Sequence, residues 1–275
     1  MGRHVQAGEV QVWTEQAGSG PDVLLIGGLG DTVESWQFQL DGLADRYRLT
    51  AFDNRGAGRT AMPPGPLTVA DLADDAAAVL RALDIDSAHV AGFSGGSVIA
   101  QELALRHPET VRSLVLQSTW AALDNYVKAV LKALRWQSEA APSQRDFLEA
   151  FFLWLYTPRA HSDGLVGRFI EDVLAFPHPQ DPTDFFAFGE AFVRHGTVGR
   201  LGGISVPTLV LAGSVDKLTR PELGREVAEE IPGAVFEVMD GEAHQPFQEV
   251  PETWNARVHE FWQDAERQDP ALGHS

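Results

Sequence analysis

The pentapeptide Gly92-Phe93-Ser94-Gly95-Gly96 places one serine at the centre of a G-x-S-x-G spacing. A serine hydroxyl is a poor nucleophile at neutral pH and needs a neighbouring base to take its proton. The flanks suit that use. Ala88 to Phe93 reads as a buried strand and Gly95 to His107 as a helix, so Ser94 falls on a sharp strand-to-helix turn. Such a turn holds the serine in a strained backbone conformation. Side chains two residues to either side would collide with neighbouring backbone, which accounts for Gly92 and Gly96.

Nine histidines could supply the base. His4 and His274 lie at the termini, and His161, His178 and His195 in a central helical stretch. His89 lies inside a strand, His107 at a helix end and His259 on the last helix. His244 is placed differently. It closes the loop Asp240-Gly241-Glu242-Ala243-His244, directly after the last strand, Ala234 to Met239. Loops at the carboxyl ends of parallel strands are where such sheets build their sites. A carboxylate is then needed to fix the imidazole tautomer and stabilise the imidazolium. Asp216 follows the strand Thr208 to Ala212. Helix capping is its other use, but Leu218 to Pro221 separate it from the next helix. Asp124, after the strand Val111 to Gln117, is the second candidate acid. Developing oxyanion charge needs donors. The backbone N–H groups of Gly95, at a helix start, and Leu29, in the loop Gly27-Gly28-Leu29-Gly30, fit that requirement.

The elements that must position these residues follow from hydrophobic period. Glu9 to Glu15 alternates as a half-exposed strand. Val23 to Ile26 is a buried apolar run that stops at glycines, and Arg48 to Phe52 is a further strand. Val69 to Leu83 has one apolar helical face. Helices also read at Pro221 to Ile231 and Pro251 to Ala265. Alternating strands and helices argue an α/β fold, a mostly parallel central sheet with helices on both faces. The alternation breaks between Thr119 and Gly203. That stretch is helical in pattern and holds 14 of the chain's 25 aromatic residues. The expected organisation is a core of residues 1–118 and 204–275 with an inserted helical cap, 119–203. Gln268 to Ser275 reads as a frayed tail.

Composition excludes other classes. Hydrophobic residues make up 44% and charged residues 22%, ordinary for a globular chain. A formal net charge of −18 argues against partners that are nucleic acids or anionic membranes. The absence of cysteine excludes disulfides and thiolate chemistry. No H-E-x-x-H motif or other metal-ligand spacing occurs, so neither metal nor organic cofactor is expected. Met1 to Gly8 lacks the apolar core of a signal peptide, and no apolar run reaches membrane-spanning length. The expectation is a soluble, cytoplasmic protein whose partner is a small molecule.

Four separated segments resemble the α/β-hydrolase superfamily. They are Ile26 to Leu29, Asp53-Asn54-Arg55-Gly56-Ala57-Gly58-Arg59-Thr60, the Ser94 turn, and Gly213 to Asp216 together with His244. The second is similar to the family's D-x-R-G-x-G-x-S loop, with Thr60 for the last serine. His244 to Pro251 is similar to its G-H-x-x-x-x-E-x-P ending, with Glu249 and Pro251 in register. The order Ser94, Asp216, His244 matches the order of the family's triad. Where the family commonly has His-Gly, this chain has Gly27-Gly28. Serine rather than aspartate at position 94 excludes the haloalkane dehalogenase and epoxide hydrolase branches. The resemblance implies a cofactor-free serine hydrolase, similar to esterases, enol-lactone hydrolases and haloperoxidase-like perhydrolases.

The leading expectation is hydrolysis of a carboxylic ester or lactone of a small to bulky apolar metabolite through an acyl-enzyme. Carbon–carbon bond hydrolysis or a tailoring reaction on the same triad, and a ligand receptor built on the fold, are the alternatives. Gly28, Trp120, Trp154, Phe185, Phe186 and Phe188 are expected to line the substrate pocket. With no side chain on Gly95 and so many aromatics in the cap, that pocket is expected to be large and apolar.

Overall fold

The computed structural model describes residues 2–268. Its centre is one eight-stranded sheet: β1 (Arg3–Ala7), β2 (Val10–Ala17), β3 (Asp22–Ile26), β4 (Arg48–Phe52), β5 (Ala88–Phe93), β6 (Val111–Gln117), β7 (Thr208–Gly213) and β8 (Val235–Met239). The spatial order is β1-β2-β4-β3-β5-β6-β7-β8. β1 and β2 pair antiparallel, as do β2 and β4, and every other neighbouring pair is parallel.

Strands β3, β5 and β7 are buried at every residue. That is the cost of covering both faces with helices, and it explains their continuous apolar runs. The pleat divides each run between two cores. Leu24 and Ile26 of β3 face the helices Val69–Ala82 and Gly95–Arg106. Val23 and Leu25 face the opposite core, which holds Trp36, Phe247, Trp254 and Trp262. Helix Val69–Ala82 opens on a capping box in which Thr68 Oγ1 and the Asp71 carboxylate each satisfy the other's backbone N–H.

Two sequence expectations change. β1 was not expected. Its segment shows little apolar alternation, and only Val5 and Ala7 are buried. It is a strand because it turns back on β2 at Gly8, φ +60°, and packs on helix Val69–Ala82. A short helix, Gln37–Gly42, also lies between β3 and β4. The tail expected to fray from Gln268 lies, past that residue, outside the described residues.

Between β6 and β7 run the helices Asn125–Ala140, Gln144–Phe152, Pro158–Ser162, Leu165–Ala175 and Pro182–Arg194. The two ends of this insertion are tied together. Thr197 N–H donates to Ala121 O at 2.8 Å, and Ala122 and Gly196 form an isolated antiparallel bridge. Gln101, buried on helix Gly95–Arg106, fastens both ends to the sheet domain. Its Nε2 donates to Thr119 Oγ1 and Trp120 O, and its Oε1 accepts from Thr197 Oγ1.

Candidate active site

Ser94 sits between β5 and helix Gly95–Arg106 with φ 52° and ψ −121°. A left-handed φ on a non-glycine residue is strained and persists only where the surroundings enforce it. The surroundings are close-packed backbone. A β-carbon on Gly92 would meet Gly96 O at 2.3 Å, and one on Gly96 would meet Ile26 O at 2.0 Å. Both glycines are required because main chain occupies the place of a side chain.

Three loops at the carboxyl ends of β5, β7 and β8 bring Ser94, Asp216 and His244 together. His244 Nε2 lies 3.0 Å from Ser94 Oγ, and Nδ1 lies 2.7 Å from Asp216 Oδ2. His244 and Asp216 are almost fully buried. Asp216 Oδ1 accepts from the N–H groups of Leu218 and Thr219, at 2.8 and 2.9 Å. The carboxylate therefore turns its own loop and still presents Oδ2 to the imidazole. Its only competitor, Asp124, is elsewhere engaged. It caps helix Asn125–Ala140 through Val127 N–H at 2.8 Å and pairs with Arg220 at 2.5 Å. Burial pushes its carboxyl up, but the Val127 and Arg220 bonds outweigh this and hold it below the usual range.

His244 is further held by Ser118 Oγ, which donates to its carbonyl at 2.8 Å, and by its own N–H, which donates to Leu155 O of the insertion at 3.1 Å. Thr219 Oγ1 lies 2.8 Å from Asp216 Oδ2 and 3.0 Å from His244 Nδ1. Sequence reasoning missed Thr219. Its signal was its place three residues beyond an aspartate in a turn.

The glycine loop after β3 is fixed on three sides. Asn54 Nδ2 donates to Gly27 O at 3.1 Å. Gly28 N–H donates to Asp31 Oδ2 at 2.7 Å. Asp53, the first residue of the loop that resembles D-x-R-G-x-G-x-S, accepts from Val33 N–H and Arg59 N–H, both at 2.8 Å. Leu29 and Gly95 line the same cavity as Ser94, and Gly95 N–H is one of the first amides of its helix, where no intrahelical acceptor exists. The Asp31 carboxyl is pushed up by burial, against the lowering effect of bonds from Ser35 and Gly28 and of the nearby His244. Asp31 was not singled out from the sequence, although a carboxylate inside a glycine loop after a buried strand was a readable signal.

A cavity of about 50 Å³ opens on Ser94 and His244. Ligand pockets commonly run to several hundred Å³, so the large pocket expected from the sequence is not formed. Leu29, Gly95 and Trp120 line the cavity, as do Asp31, Phe192 and Gln245, which the sequence reading does not place in the pocket. Phe192 explains the size. Its ring packs on Gly95, where a β-carbon would meet Cζ at 2.4 Å, so the space left by the glycine is filled.

The other expected lining residues stand elsewhere. Gly28 is covered: a β-carbon there would meet Ser94 Cβ and Phe93 O, each at 3.0 Å. Trp154 packs half-buried against the core. Phe188 is buried behind Phe192, with ring centroids 6.0 Å apart. Phe185 covers Gly30 and meets Phe151 edge-on. Phe186 points away, under the Arg135 guanidinium at 5.0 Å. Successive positions on helix Pro182–Arg194 turn by roughly 100°, so these rings cannot share one direction.

Among the described residues, no group of three or more His, Cys, Asp or Glu side chains could hold a metal ion, and no helix is long and apolar enough to cross a membrane. A serine, an imidazole and a carboxylate in hydrogen-bonded series, beside backbone donors, can activate a hydroxyl for attack on a carbonyl.

Sheet order and site geometry define an α/β hydrolase, and the chain belongs to the alpha/beta hydrolase fold family, whose profile matches residues 21–250. It is 31% identical over 252 residues, 92% of this chain and 95% of the other, to a protein of Azorhizobium caulinodans named "Putative carbamate hydrolase RutD". Among solved structures it is similar to a hydrolase from Pseudomonas aeruginosa PA01, with TM-score 0.82, 27% identity, and coverage of 94% of this chain and 97% of that one. It is also similar to a structure titled "Putative non-heme bromoperoxidase BpoC" from Mycobacterium tuberculosis H37Rv, with TM-score 0.81, 27% identity, and coverage of 96% and 98%.

Proposed function

We propose that the protein is a cofactor-free serine hydrolase that cleaves a small carboxylic ester or lactone through an acyl-enzyme. The observation that carries this is the continuous series Asp216–His244–Ser94 at 2.7 and 3.0 Å, open to a cavity on the serine side. Ser94 Oγ bonds to the carbonyl carbon and its proton passes to His244 Nε2. Asp216 holds the Nδ1 proton and stabilises the imidazolium. The N–H groups of Leu29 and Gly95 receive the oxyanion. The C–O bond of the tetrahedral adduct breaks, and the leaving alkoxide takes the proton from His244. Water then gives a proton to His244 and attacks the acyl carbon; the bond to Ser94 Oγ breaks, Ser94 Oγ takes the proton back from His244, and the acid is released. The insertion, residues 119–203, acts as a cap: Trp120 and Phe192 exclude water, which strengthens each polar contact inside.

A carbamate is the second reading of the substrate. It is favoured by the cavity's size, which suits a short acyl group, and by the name of the Azorhizobium relative. Carbamoyl transfer to Ser94 and hydrolysis of the carbamoyl-enzyme use the same groups in the same order.

The test combines turnover of p-nitrophenyl acetate and butyrate with labelling by a fluorophosphonate probe. The expected result is turnover and labelling in the wild type and loss of both in a folded Ser94→Ala variant. Labelling that persists at another serine would overturn the assignment. Labelling without turnover of any ester, lactone or carbamate would point to a ligand receptor.

A further inference from the structure

Ser94 and His244 face the cavity as members of the triad, and Thr219 faces it while bonded to Asp216 and His244 behind. The triad leaves Asp31 and Gln245 without a task. Asp31 stands in a largely apolar cavity, beside Leu29 and Phe192. Its oxygens accept one hydrogen bond each from the protein, Oδ2 from Gly28 N–H at 2.7 Å and Oδ1 from Ser35 Oγ at 2.8 Å. An ionised carboxylate can accept about four, so acceptor capacity remains on both oxygens. Holding the glycine loop does not require a charge, because a neutral acceptor would serve Gly28 N–H equally. Placing a carboxyl here carries a desolvation cost, visible in the upward push on its pKa. Gln245 is 5% exposed, lines the same cavity, and its Oε1 has no hydrogen-bond partner among the described residues. A buried polar atom without a partner calls for a bound one.

We propose that Asp31 and Gln245 form a specificity-determining acceptor pair for a substrate nitrogen that carries hydrogen and lies on, or one atom from, the scissile carbonyl. The distance follows from the size of the cavity. Ser94, Asp31 and Gln245 line one cavity of about 50 Å³, which holds little beyond an acyl carbon and its first substituents. A group that reaches both acceptors is attached at the carbonyl or at the next atom. Both acceptors favour N–H donors, as in an N–H carbamate or an α-amino acyl group. The Trp120 indole N–H, which lines the same cavity and also has no partner among the described residues, can donate to an oxygen of the same group. The proposal rests on the serine-hydrolase reading and narrows its substrate class.

The experiment compares p-nitrophenyl N-methylcarbamate with p-nitrophenyl propionate. The two have the same shape and leaving group, and differ by NH in place of CH₂. Acylation is followed as kcat/KM or as the burst of p-nitrophenolate, and the carbamate-to-propionate ratio is formed for each protein so that intrinsic reactivity cancels. Asp31→Asn replaces one acceptor oxygen with a donor and should lower the ratio about tenfold or more, the effect of losing a hydrogen bond to a charged group. Gln245→Leu removes the second acceptor and should lower it several-fold, which keeps the test available if Asp31→Asn does not fold. A ratio within twofold of wild type in both variants, with propionate still turned over, would overturn this inference and leave the hydrolase reading standing. Absence of p-nitrophenolate release from either ester, together with absence of fluorophosphonate labelling in the wild type, would overturn both.

Discussion

The ring of Phe192 occupies the space over Gly95 that a side chain would otherwise take, since a β-carbon on that glycine would meet its Cζ at 2.4 Å. The glycine after Ser94 therefore does not widen the pocket. It admits an aromatic wall from the insertion, and Phe188 and Trp120 back that wall at centroid distances of 6.0 and 6.1 Å.

Phe192→Ala should lengthen the acyl group accepted. Wild type is expected to be most efficient with short p-nitrophenyl esters and to fall off as the chain grows. Removing the ring should move the optimum toward longer chains, each accommodated CH₂ contributing about 0.8 kcal/mol, roughly fourfold in kcat/KM. The truncation should also cost about 3–5 kcal/mol in urea unfolding, because the side chain is buried. Phe192→Leu gives the same test with less loss of stability. An unchanged chain-length optimum in both variants would show that the wall lies off the acyl path.

Asp216 and Asp124 should respond in opposite ways. Asp216→Asn leaves the turn but presents the wrong partner to Nδ1, and should lower kcat on the order of 10⁴-fold. Asp124→Ala should keep kcat within a few-fold and lose about 1 kcal/mol of stability through the helix cap. A severe kinetic defect in Asp124→Ala alone would reverse the assignment of the acid.

Two glycines offer a contrast that reads backbone crowding directly. Gly96→Ala would press a methyl onto Ile26 O at 2.0 Å and Gly27 O at 2.6 Å, and main chain cannot rotate aside. The melting temperature should drop by several degrees or more, and activity should fall with displacement of the glycine loop. Gly167, inside helix Leu165–Ala175, has nothing within 4 Å of a β-carbon. Gly167→Ala should stabilise the protein by about 0.5–1 kcal/mol. Equal melting temperatures for the two variants would contradict this account of the turn at Ser94.

Much of this was readable from local pattern. Buried strands announce themselves as short apolar runs, and a sharp strand-to-helix turn as glycines at fixed offsets from a serine. The placement of Ser94, Asp216 and His244 at the ends of β5, β7 and β8 follows from those patterns once the sheet is parallel. β1 was not readable, because it is a strand only by virtue of its partner β2 and the helix beneath it. The pocket wall was not readable either. Phe185, Phe186, Phe188 and Phe192 are one residue type on one helix; rotation about its axis turns Phe186 away, while Phe188 and Phe192 share a face and one turn along the axis separates filler from lining. Asp31 is marked in the sequence only by its place after a glycine loop, and the unpartnered oxygen of Gln245 is not legible there at all, because it depends on neighbours from distant segments.

Protonation of a buried histidine should make the protein less stable in mild acid. His89 lies in β5, where its Nδ1 meets Ser113 Oγ at 2.8 Å and its ring stacks on Trp262. Burial, aided by the charge of Arg112, pushes its pKa down to about 4. The unfolded chain binds this proton near the ordinary value of about 6.5. Between those limits the unfolded state holds more protons than the folded state, so stability rises with pH. The contribution is fully present above about pH 6.5 and is lost as pH falls toward 4, by roughly 3 kcal/mol at most. Urea midpoints measured at several pH values across that window should fall with acidification in the wild type. His89→Gln keeps a polar group facing Ser113 without a titrating ring. It should lower stability at pH 7.5, and its midpoint should fall less steeply across the window. A slope identical to wild type would show that other groups carry the acid sensitivity and that His89 takes up its proton within the fold.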